Sequence, residues 1–437
     1  MGLITENFDA VYETKEYKRS RSAYTFECAF EYMVNLFITD AFLVNLLKHI
    51  GLNDALIGVI SSFVSLAFLF QFFSIFVVQK ITNTKRFAVI FHTSSQLIFM
   101  SLYLVPFLPI SLEIKEILVI VGVLGAYFGN YFVTSIIYKW GNSYVHPRHR
   151  ADFTAVKEII SLGCGIVMTL GVGYVVDSFE AIGNVEGSFI FCAAGILIFC
   201  ISDFICLMCI KNEVTFKEEI ETDRIPIKEV LEKLFQNRGY INILITTALW
   251  RIGTYVTIGF LGTYRLYELG FTVLAVQVIN VGGSISRMFA SRILGRFSDK
   301  YSFARGIEVG FIFACAAFLC LFFTAPSSRL LIIVYTALLN ISHAGTGGNM
   351  INITYSCVNA KYFVQATAIN NSISGVLGFC ATVLGSKIME AFDGTPATVF
   401  GIDVYPQQIL ALISFAIFVA AVLFTRFVLT KQERLVQ

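Results

Sequence analysis

The stretch GSFIFCAAGILIFCISDFICLMCIK, residues 187–211, decides the class of this protein. A helix needs about 20 apolar residues to cross the hydrocarbon core of a bilayer, because each residue adds about 1.5 Å to its length. The stretch contains a single acidic residue, Asp203, and its only basic residue stands at the end. It is therefore long and apolar enough to span a membrane.

The composition extends this interpretation to the whole chain. Of the 437 residues, 56% are hydrophobic and 14% are charged, and the mean hydropathy is +0.74. Globular proteins carry about 25% charged residues, so this chain has too few charges to cover its apolar residues in water. The composition predicts a polytopic helical protein whose solvent is the lipid bilayer, and it excludes collagen-like, disordered, nucleic-acid-binding and disulfide-framework proteins.

Twelve stretches have the length and apolarity of a membrane span. They cover residues 23–47, 55–79, 86–108, 116–140, 153–177, 187–211, 240–266, 271–295, 305–325, 329–355, 361–390 and 405–430. The loops between them are mostly short, so consecutive helices are expected to be antiparallel. The charged segment 212–239 is the exception, and it separates six spans from six.

Lysine and arginine predict the orientation of these spans. If the N-terminus, the C-terminus and the loops from even to odd spans share one side, that side holds 25 of the 32 basic residues. Basic residues concentrate on the cytoplasmic side of membrane proteins. We therefore expect a multi-pass protein of the cell (inner or plasma) membrane, with a cytoplasmic lead-in at 1–22, a cytoplasmic tail at 431–437, and a cytoplasmic linker at 212–239 that contains an amphipathic helix.

The two halves of the chain contain an internal repeat. Residues 145–179 align without a gap to 358–392, with identity at eight of 35 positions, among them Ser161 with Ser374 and Gly165 with Gly378. The aligned segments hold span 5 in the first half and span 11 in the second. The repeat therefore predicts two halves of equal orientation, related by an axis along the membrane normal.

The loop between spans 8 and 9 carries a recognisable motif, GRFSDKYSFAR, at residues 295–305. Gly295 is followed by Asp299 four residues later and by further basic residues up to Arg305, which resembles the cytoplasmic signature of the major facilitator superfamily. Ser302 replaces the second glycine of the signature, and in the corresponding first-half loop Lys80 stands in place of the aspartate.

This resemblance covers nearly the whole chain. It implies an all-α membrane protein with twelve transmembrane helices in two six-helix bundles, 23–211 and 240–430, related by a pseudo-two-fold axis. It also implies transport by alternating access. In the motif, Gly295, Asp299 and Arg305 are gating candidates, because a carboxylate at a tight turn can pair with a nearby arginine and hold the cytoplasmic side closed. Simple anchoring of the loop is the alternative interpretation.

Span 1 carries an acidic stripe. Glu27, Glu31 and Asn35 follow one another at intervals of four residues and therefore share one face of a helix. A low-dielectric surrounding favours the neutral form of a carboxylic acid, so Glu31 and Glu27 are candidates for carrying a proton. A structural ion pair or hydrogen bond is the alternative for both. The coupling ion is expected to be a proton or another cation.

Span 7 places Arg251 near its middle, between Trp250 and Tyr255. The family resemblance implies that spans 1 and 7 both line the central cavity. Arg251 then has two interpretations that the sequence leaves open: it pairs with Glu31 across the halves, or it holds a carboxylate or phosphate of a substrate.

Further polar and aromatic side chains of spans 4, 7, 8, 10 and 11 are candidates for binding a small hydrophilic solute, although amides also join helices to one another. The full set of substrate-binding candidates consists of Asn35, Tyr127, Asn130, Tyr131, Trp250, Arg251, Tyr255, Gln277, Asn280, Asn340 and Asn371. His343 on span 10 is a candidate for proton relay or, alternatively, a packing residue. Asp203 and Glu308 are left out of the site, because spans 6 and 9 resemble the peripheral helices of the family.

The sequence predicts a secondary active transporter that moves a small hydrophilic solute, coupled to protons as a symporter. Efflux of amphipathic, drug-like compounds is an alternative, since the 43 phenylalanines and the acids of span 1 would suit lipophilic cations. A non-transporting receptor or scaffold is a second alternative. No phosphate-binding glycine loop, metalloprotease motif or nucleophile elbow occurs, so neither an enzyme nor a cofactor or metal site is expected.

Overall fold

The computed structural model describes residues 12–78, 84–145, 150–211, 227–359, 362–392, 397–399 and 402–432. The chain forms two compact units. The first unit comprises Met1–Gly51 and Phe70–Asp223, and the second comprises Leu52–Leu69 and Arg224–Gln437. The predicted second span is thus divided between the units, because its first part packs with the C-terminal half of the chain.

The protein is an all-α membrane protein. Within the described ranges, the helices of eight residues or more are α1 Lys15–Phe37, α2 Asp40–Ile50, α3 Asp54–Ser61, α4 Phe63–Val78, α5 Thr84–Leu102, α6 Leu112–Asn142, α7 Arg150–Ala181, α8 Val185–Cys209, α9 Ile227–Gln236, α10 Arg238–Ile258, α11 Val273–Tyr301, α12 Phe303–Phe322, α13 Leu331–Cys357, α14 Phe363–Ala391 and α15 Pro406–Phe424. A short antiparallel hairpin, β1 Ala397–Val399 and β2 Ile402–Val404, precedes α15.

Each of the twelve stretches predicted to span the membrane coincides with a helix or with a helix that is interrupted once. Eight helical segments of the described chain are long and apolar enough to cross a bilayer, and the bent pair α1–α2 raises the number to nine. The amphipathic helix expected in the linker is α9, in which Val230 and Leu234 are buried while Lys228 and Glu232 are exposed.

Span 1 bends by 41° between α1 and α2. At the bend Asp40 adopts a φ of 46°, a left-handed conformation that aspartate tolerates better than most residues. The interruption frees backbone carbonyls, which accept hydrogen bonds from a tyrosine in the turn after α5 and from a tyrosine of α6. The Tyr103 hydroxyl donates to the carbonyl of Phe37 at 2.6 Å, and the Tyr127 hydroxyl donates to that of Ile38 at 3.5 Å.

In the first unit α1 packs against α7 and α8, while α5 packs against α6 and α8. Aromatic side chains fill the resulting core, and Trp140, Tyr24 and Tyr144 are almost completely buried in it. This arrangement brings one face of α1, α5 and α8 together, which positions the polar side chains described below.

In the second unit α12 packs closely against α13, and α10 packs against α14 and α15. The close approach of α12 and α13 depends on glycine. A Cβ atom added to Gly345 would lie 3.0 Å from the Cα of Gly310 and 3.2 Å from the carbonyl oxygen of Gly306, so the two backbones nearly touch. Two residues further along α13, a Cβ atom at Gly347 would meet nothing within 4 Å.

This contrast gives a test of the helix contact. Gly345→Ala is expected to lower the free energy of unfolding by about 1–3 kcal/mol, the usual effect of overpacking against atoms that cannot move aside. Gly347→Ala is the matched control, and it should be neutral or stabilising by up to about 1 kcal/mol, because alanine favours the helix. Thermal unfolding of the detergent-purified variants measures both. Equal stability of the two variants would contradict the close contact.

Candidate functional site

The acidic stripe of α1 faces the interior of the first unit. Glu27 is completely buried, and Glu31, one turn further along, is half-buried. Asn35 continues the stripe and is also half-buried. Since α1 packs against α7 and α8, carboxylates on this face lie among protein side chains rather than lipid.

His92 and Asp203 form the centre of the polar group around this stripe. His92 lies on α5 and Asp203 on α8, both completely buried, and His92 Nε2 is 2.9 Å from Asp203 Oδ2. Gln96, one turn along α5 from His92, donates from Nε2 to the same carboxylate oxygen at 2.8 Å. The hydrogen bonds from α5 to α8 orient the imidazole and the carboxylate toward each other.

Glu27 joins this group from α1. Its Oε1 atom lies 3.9 Å from His92 Nε2, and its Oε2 atom accepts a hydrogen bond from the Cys28 thiol at 3.2 Å. Asn130 of α6 is buried and lies near Glu31. We call Glu27, Glu31, His92 and Asp203 the acid cluster.

The charge balance of the acid cluster is the property that matters chemically. It contains three carboxylates and one imidazole, and Lys157 adds one positive charge nearby. The Lys157 ammonium lies 4.7 Å from the centre of the Tyr24 ring and 4.6 Å from that of Tyr138. Three ionised carboxylates exceed the positive charge available even when His92 is protonated, so a low-dielectric site of this composition favours the uptake of a proton or a cation.

The acid cluster also has the ligand types that a metal ion uses. One atom each from Glu27, Glu31 and His92 lie within 4.8 Å of one another. Carboxylate oxygens and imidazole nitrogen suit divalent cations such as Mn²⁺ and Zn²⁺. Glu27 Oε1 and His92 Nδ1 are buried and have no hydrogen-bond partner within the described part of the chain. The donor set therefore fits a cation as well as a proton.

The second unit brings together another group of the residues expected in the site. Arg251 of α10 lies over the ring of Phe68, with 4.7 Å between the guanidinium carbon and the ring centre, and 5.8 Å from the centre of Tyr255. The ring of His343 on α13 makes an edge-to-face contact with Trp250 at 4.8 Å. Trp250 itself is buried in the core of the unit, where it stacks on Phe311 of α12.

Two of the other candidates, Tyr127 and Asn280, make contacts with other helical segments. Tyr127 donates to the bend of span 1 and contacts the rings of Phe99 and Tyr131. Asn280 accepts a hydrogen bond from Arg265 at 3.2 Å, and Asn340 donates to the carbonyl oxygen of Thr336 on its own helix. Gln277 is buried on α11, and Asn371 is half-buried on α14.

The motif between α11 and α12 is helical up to Tyr301. The hydroxyl of Ser302, which stands in place of the second family glycine, accepts a hydrogen bond from the backbone N–H of Arg305 and thereby caps α12. The guanidinium of Arg305 lies 5.8 Å from the ring centre of Tyr301. A Cβ atom at Gly295 would meet nothing within 4 Å, and the side chain of Asp299 lies outside the described part of the structure.

Three residues of the first group were not expected from the sequence. His92 and Gln96 had a signal, because two polar residues four apart on an apolar span share one helix face. Asp203 was left out on the basis of the family resemblance, but the structure places it 2.9 Å from His92. Of the sequence candidates, Glu27, Glu31 and Asn130 lie in or beside the acid cluster, whereas His343 belongs to the other unit.

Breaking the buried pair tests the geometry of the cluster. Asp203→Ala leaves the imidazole of His92 and the amide of Gln96 without their shared acceptor, so we expect it to lower the free energy of unfolding by about 3–5 kcal/mol. Asp203→Asn retains an acceptor oxygen and should cost less. Glu113→Ala, at an exposed position near the start of α6, is the control. A thermal unfolding midpoint that Asp203→Ala leaves unchanged would contradict the pair.

Solved structures share this fold at low sequence identity. A mutant of the nucleoside transporter NupG aligns with a TM-score of 0.72 and 13% identity over 93% of this chain and 99% of its own. A bacterial homologue of the human lysosomal transporter Spinster was solved in an inward-facing and unoccupied conformation. It aligns with a TM-score of 0.69 and 14% identity over 94% of this chain and 97% of its own. A bacterial metal transporter aligns with a TM-score of 0.65 and 10% identity over 94% of this chain and 98% of its own.

None of the curated protein sequences matches this chain significantly. The model of the Major Facilitator Superfamily, in contrast, matches residues 25–383, which is most of the chain. The match includes α1, α5 and α8 with the acid cluster and α10 with Arg251. The helical architecture and the family match agree with the resemblance seen in the motif at 295–305, and the chain belongs to the major facilitator superfamily of transporters.

Proposed function

We propose that this protein is a secondary active transporter that moves a small hydrophilic solute together with protons, as a symporter working by alternating access. The observation that carries the proposal is the acid cluster, in which three carboxylates and one imidazole from α1, α5 and α8 meet inside the first unit. Charged side chains within membrane spans are rare, and helix packing alone seldom requires them.

The residues of the acid cluster differ in their contacts and burial, and therefore in the roles that we assign to them. Asp203 and Gln96 orient His92, since both contact its Nε2 atom. Glu27 is completely buried beside the imidazole, while Glu31 is half-buried at the more accessible side of the cluster. A proton bound from water would therefore reach Glu31 first and be shared with His92 and Glu27. The family's alternating access would then release it on the opposite side.

The same group supports a second candidate for the coupling ion. The ligand atoms of Glu27, Glu31 and His92 within 4.8 Å of one another suit a divalent cation. Mn²⁺ and Zn²⁺ alone, added to the detergent-purified protein at constant pH, test this candidate by thermal shift. Stabilisation that disappears in His92→Gln would favour the cation, and a shift that depends on pH but on neither metal would favour the proton.

The coupling role of Glu31 is tested in proteoliposomes with the solute that stabilises the protein most in a panel of sugars, nucleosides, amino acids and organic acids. Glu31→Gln cannot ionise, so we expect it to abolish accumulation driven by a pH gradient while exchange of labelled for unlabelled solute continues. The wild-type protein and Glu113→Gln, an exposed acid outside the cluster, are the controls. Full accumulation by Glu31→Gln would refute the coupling role.

A further inference from the structure

Two arginines and a histidine stand at mid-span on three helices of the second unit. Arg251 of α10, Arg287 of α11 and His343 of α13 each stand near the middle of a helix. Arg251 and Arg287 are both close enough to His343 for their charges to act on it. The two arginines therefore place positive charge at mid-span, where a charge is costly unless something of opposite sign compensates it.

No acidic side chain of the described residues pairs with either arginine. Among the described residues, the guanidinium of Arg251 lies over two aromatic rings and has no hydrogen-bond acceptor, and its buried Nε atom is unpaired like that of Arg265. The buried Arg265 of the same unit differs, because Asn280 and Thr336 accept hydrogen bonds from its guanidinium at 3.2 Å and 3.0 Å. The second unit thus satisfies one buried arginine with fixed acceptors and leaves Arg251 without them.

The aromatic contacts of Arg251 indicate which kind of ligand its guanidinium could bind. The guanidinium carbon of Arg251 lies over the rings of Phe68 and Tyr255, and the face of an aromatic ring gives the N–H donors in the guanidinium plane no oxygen or nitrogen acceptor. These in-plane donors form a rigid fork that matches the two oxygens of a carboxylate or phosphate. The contacts of Arg251 therefore leave free the part of the group that binds oxyanions best.

The backbone of both flanking aromatic residues is held by hydrogen bonds. The Ser372 hydroxyl donates to the carbonyl of Phe68 at 3.2 Å, and the Thr382 hydroxyl donates to that of Tyr255 at 2.7 Å. Both donors lie on α14, which packs against α10. Because these bonds hold the backbone at Phe68 and Tyr255 before any ligand arrives, less ordering of the backbone is required on binding.

We propose that Arg251, supported by the charge of Arg287, binds an oxyanion group of the transported solute, a carboxylate or a phosphate. This inference rests on the proposed transport function and narrows its substrate class to organic anions. Tyr255 and Trp250 lie beside the site, one on the guanidinium and the other against His343.

The experiment compares ligands that differ in one group. Glucose, gluconate and glucose 6-phosphate are added to the detergent-purified wild-type protein, with inorganic phosphate and acetate as minimal probes, and binding is followed by thermal shift and titration calorimetry. We expect at least one of the two organic anions to bind at least tenfold more tightly than glucose. Comparing the affinities of gluconate and glucose 6-phosphate then shows whether the site prefers a carboxylate or a phosphate. Equal or tighter binding of glucose overturns the inference.

Matched variants test the residue. Arg251→Gln should weaken binding of the preferred anion at least tenfold, and Arg251→Lys should weaken it less, because lysine keeps the charge without the fork. Arg329→Gln is the control, since Arg329 also lies over an aromatic ring, Phe271, but is exposed. If Arg251→Gln does not fold, Arg287→Gln replaces it, with a smaller expected loss. An anion affinity that remains within twofold in the folded variant overturns the inference.

The same variants separate the inference from the proposed function. Anion binding in detergent requires neither a gradient nor Glu31, so Glu31→Gln should bind the anion with unchanged affinity. If the anion binds but Glu31→Gln still accumulates it, the coupling proposal fails and the oxyanion site stands. If a neutral solute is accumulated with protons and no anion binds, the oxyanion site fails and the transport proposal stands. Recovery of the Arg251→Gln defect by a second change, Glu31→Gln, would make the arginine a partner of Glu31 instead.

Discussion

The balance of buried charge is the constraint on which both functional regions depend. In hydrocarbon a charged side chain has no water to stabilise it, so each charge must be neutralised, paired or matched by a ligand. The first unit has an excess of carboxylates around His92, and the second has unpaired positive charge around Arg251. The proposed proton coupling and the proposed oxyanion site each rest on one of these two regions.

Much of the fold could be predicted from the sequence, because a bilayer imposes one length and one polarity on every helix that crosses it. All twelve stretches identified by that rule coincide with helices or interrupted helices. The bend at Asp40 and the division of the second span between two units could not be predicted, since both depend on contacts with other helices. Tyr103, for instance, satisfies a carbonyl of Phe37 from 66 residues away along the chain.

The candidate site could be predicted only in part, for the same physical reason. Residues on one helix reveal a shared face, and this placed Glu27 and Glu31 together. The rotation of neighbouring helices decides which faces meet, and local periodicity does not contain it. His92 and Asp203 are 2.9 Å apart although more than a hundred residues separate them, so neither predicts the other. Periodicity also cannot separate a site residue from a core residue. Trp250 is next to Arg251 in the sequence, yet its side chain packs in the hydrophobic core of the second unit.

The bend in span 1 has a mechanical consequence. An unbroken helix is stiff, because successive backbone hydrogen bonds tie each turn to the next. Between Phe37 and Asp40 that ladder is interrupted, and the freed carbonyls are bonded to hydroxyl groups that rotate easily. Span 1 therefore consists of two helical segments, α1 and α2, joined by a short interruption between Phe37 and Asp40. A change of the angle at this interruption would break no hydrogen bond inside α1 or α2, so the segment with Glu27 and Glu31 and the segment α2 need not move as one rigid helix.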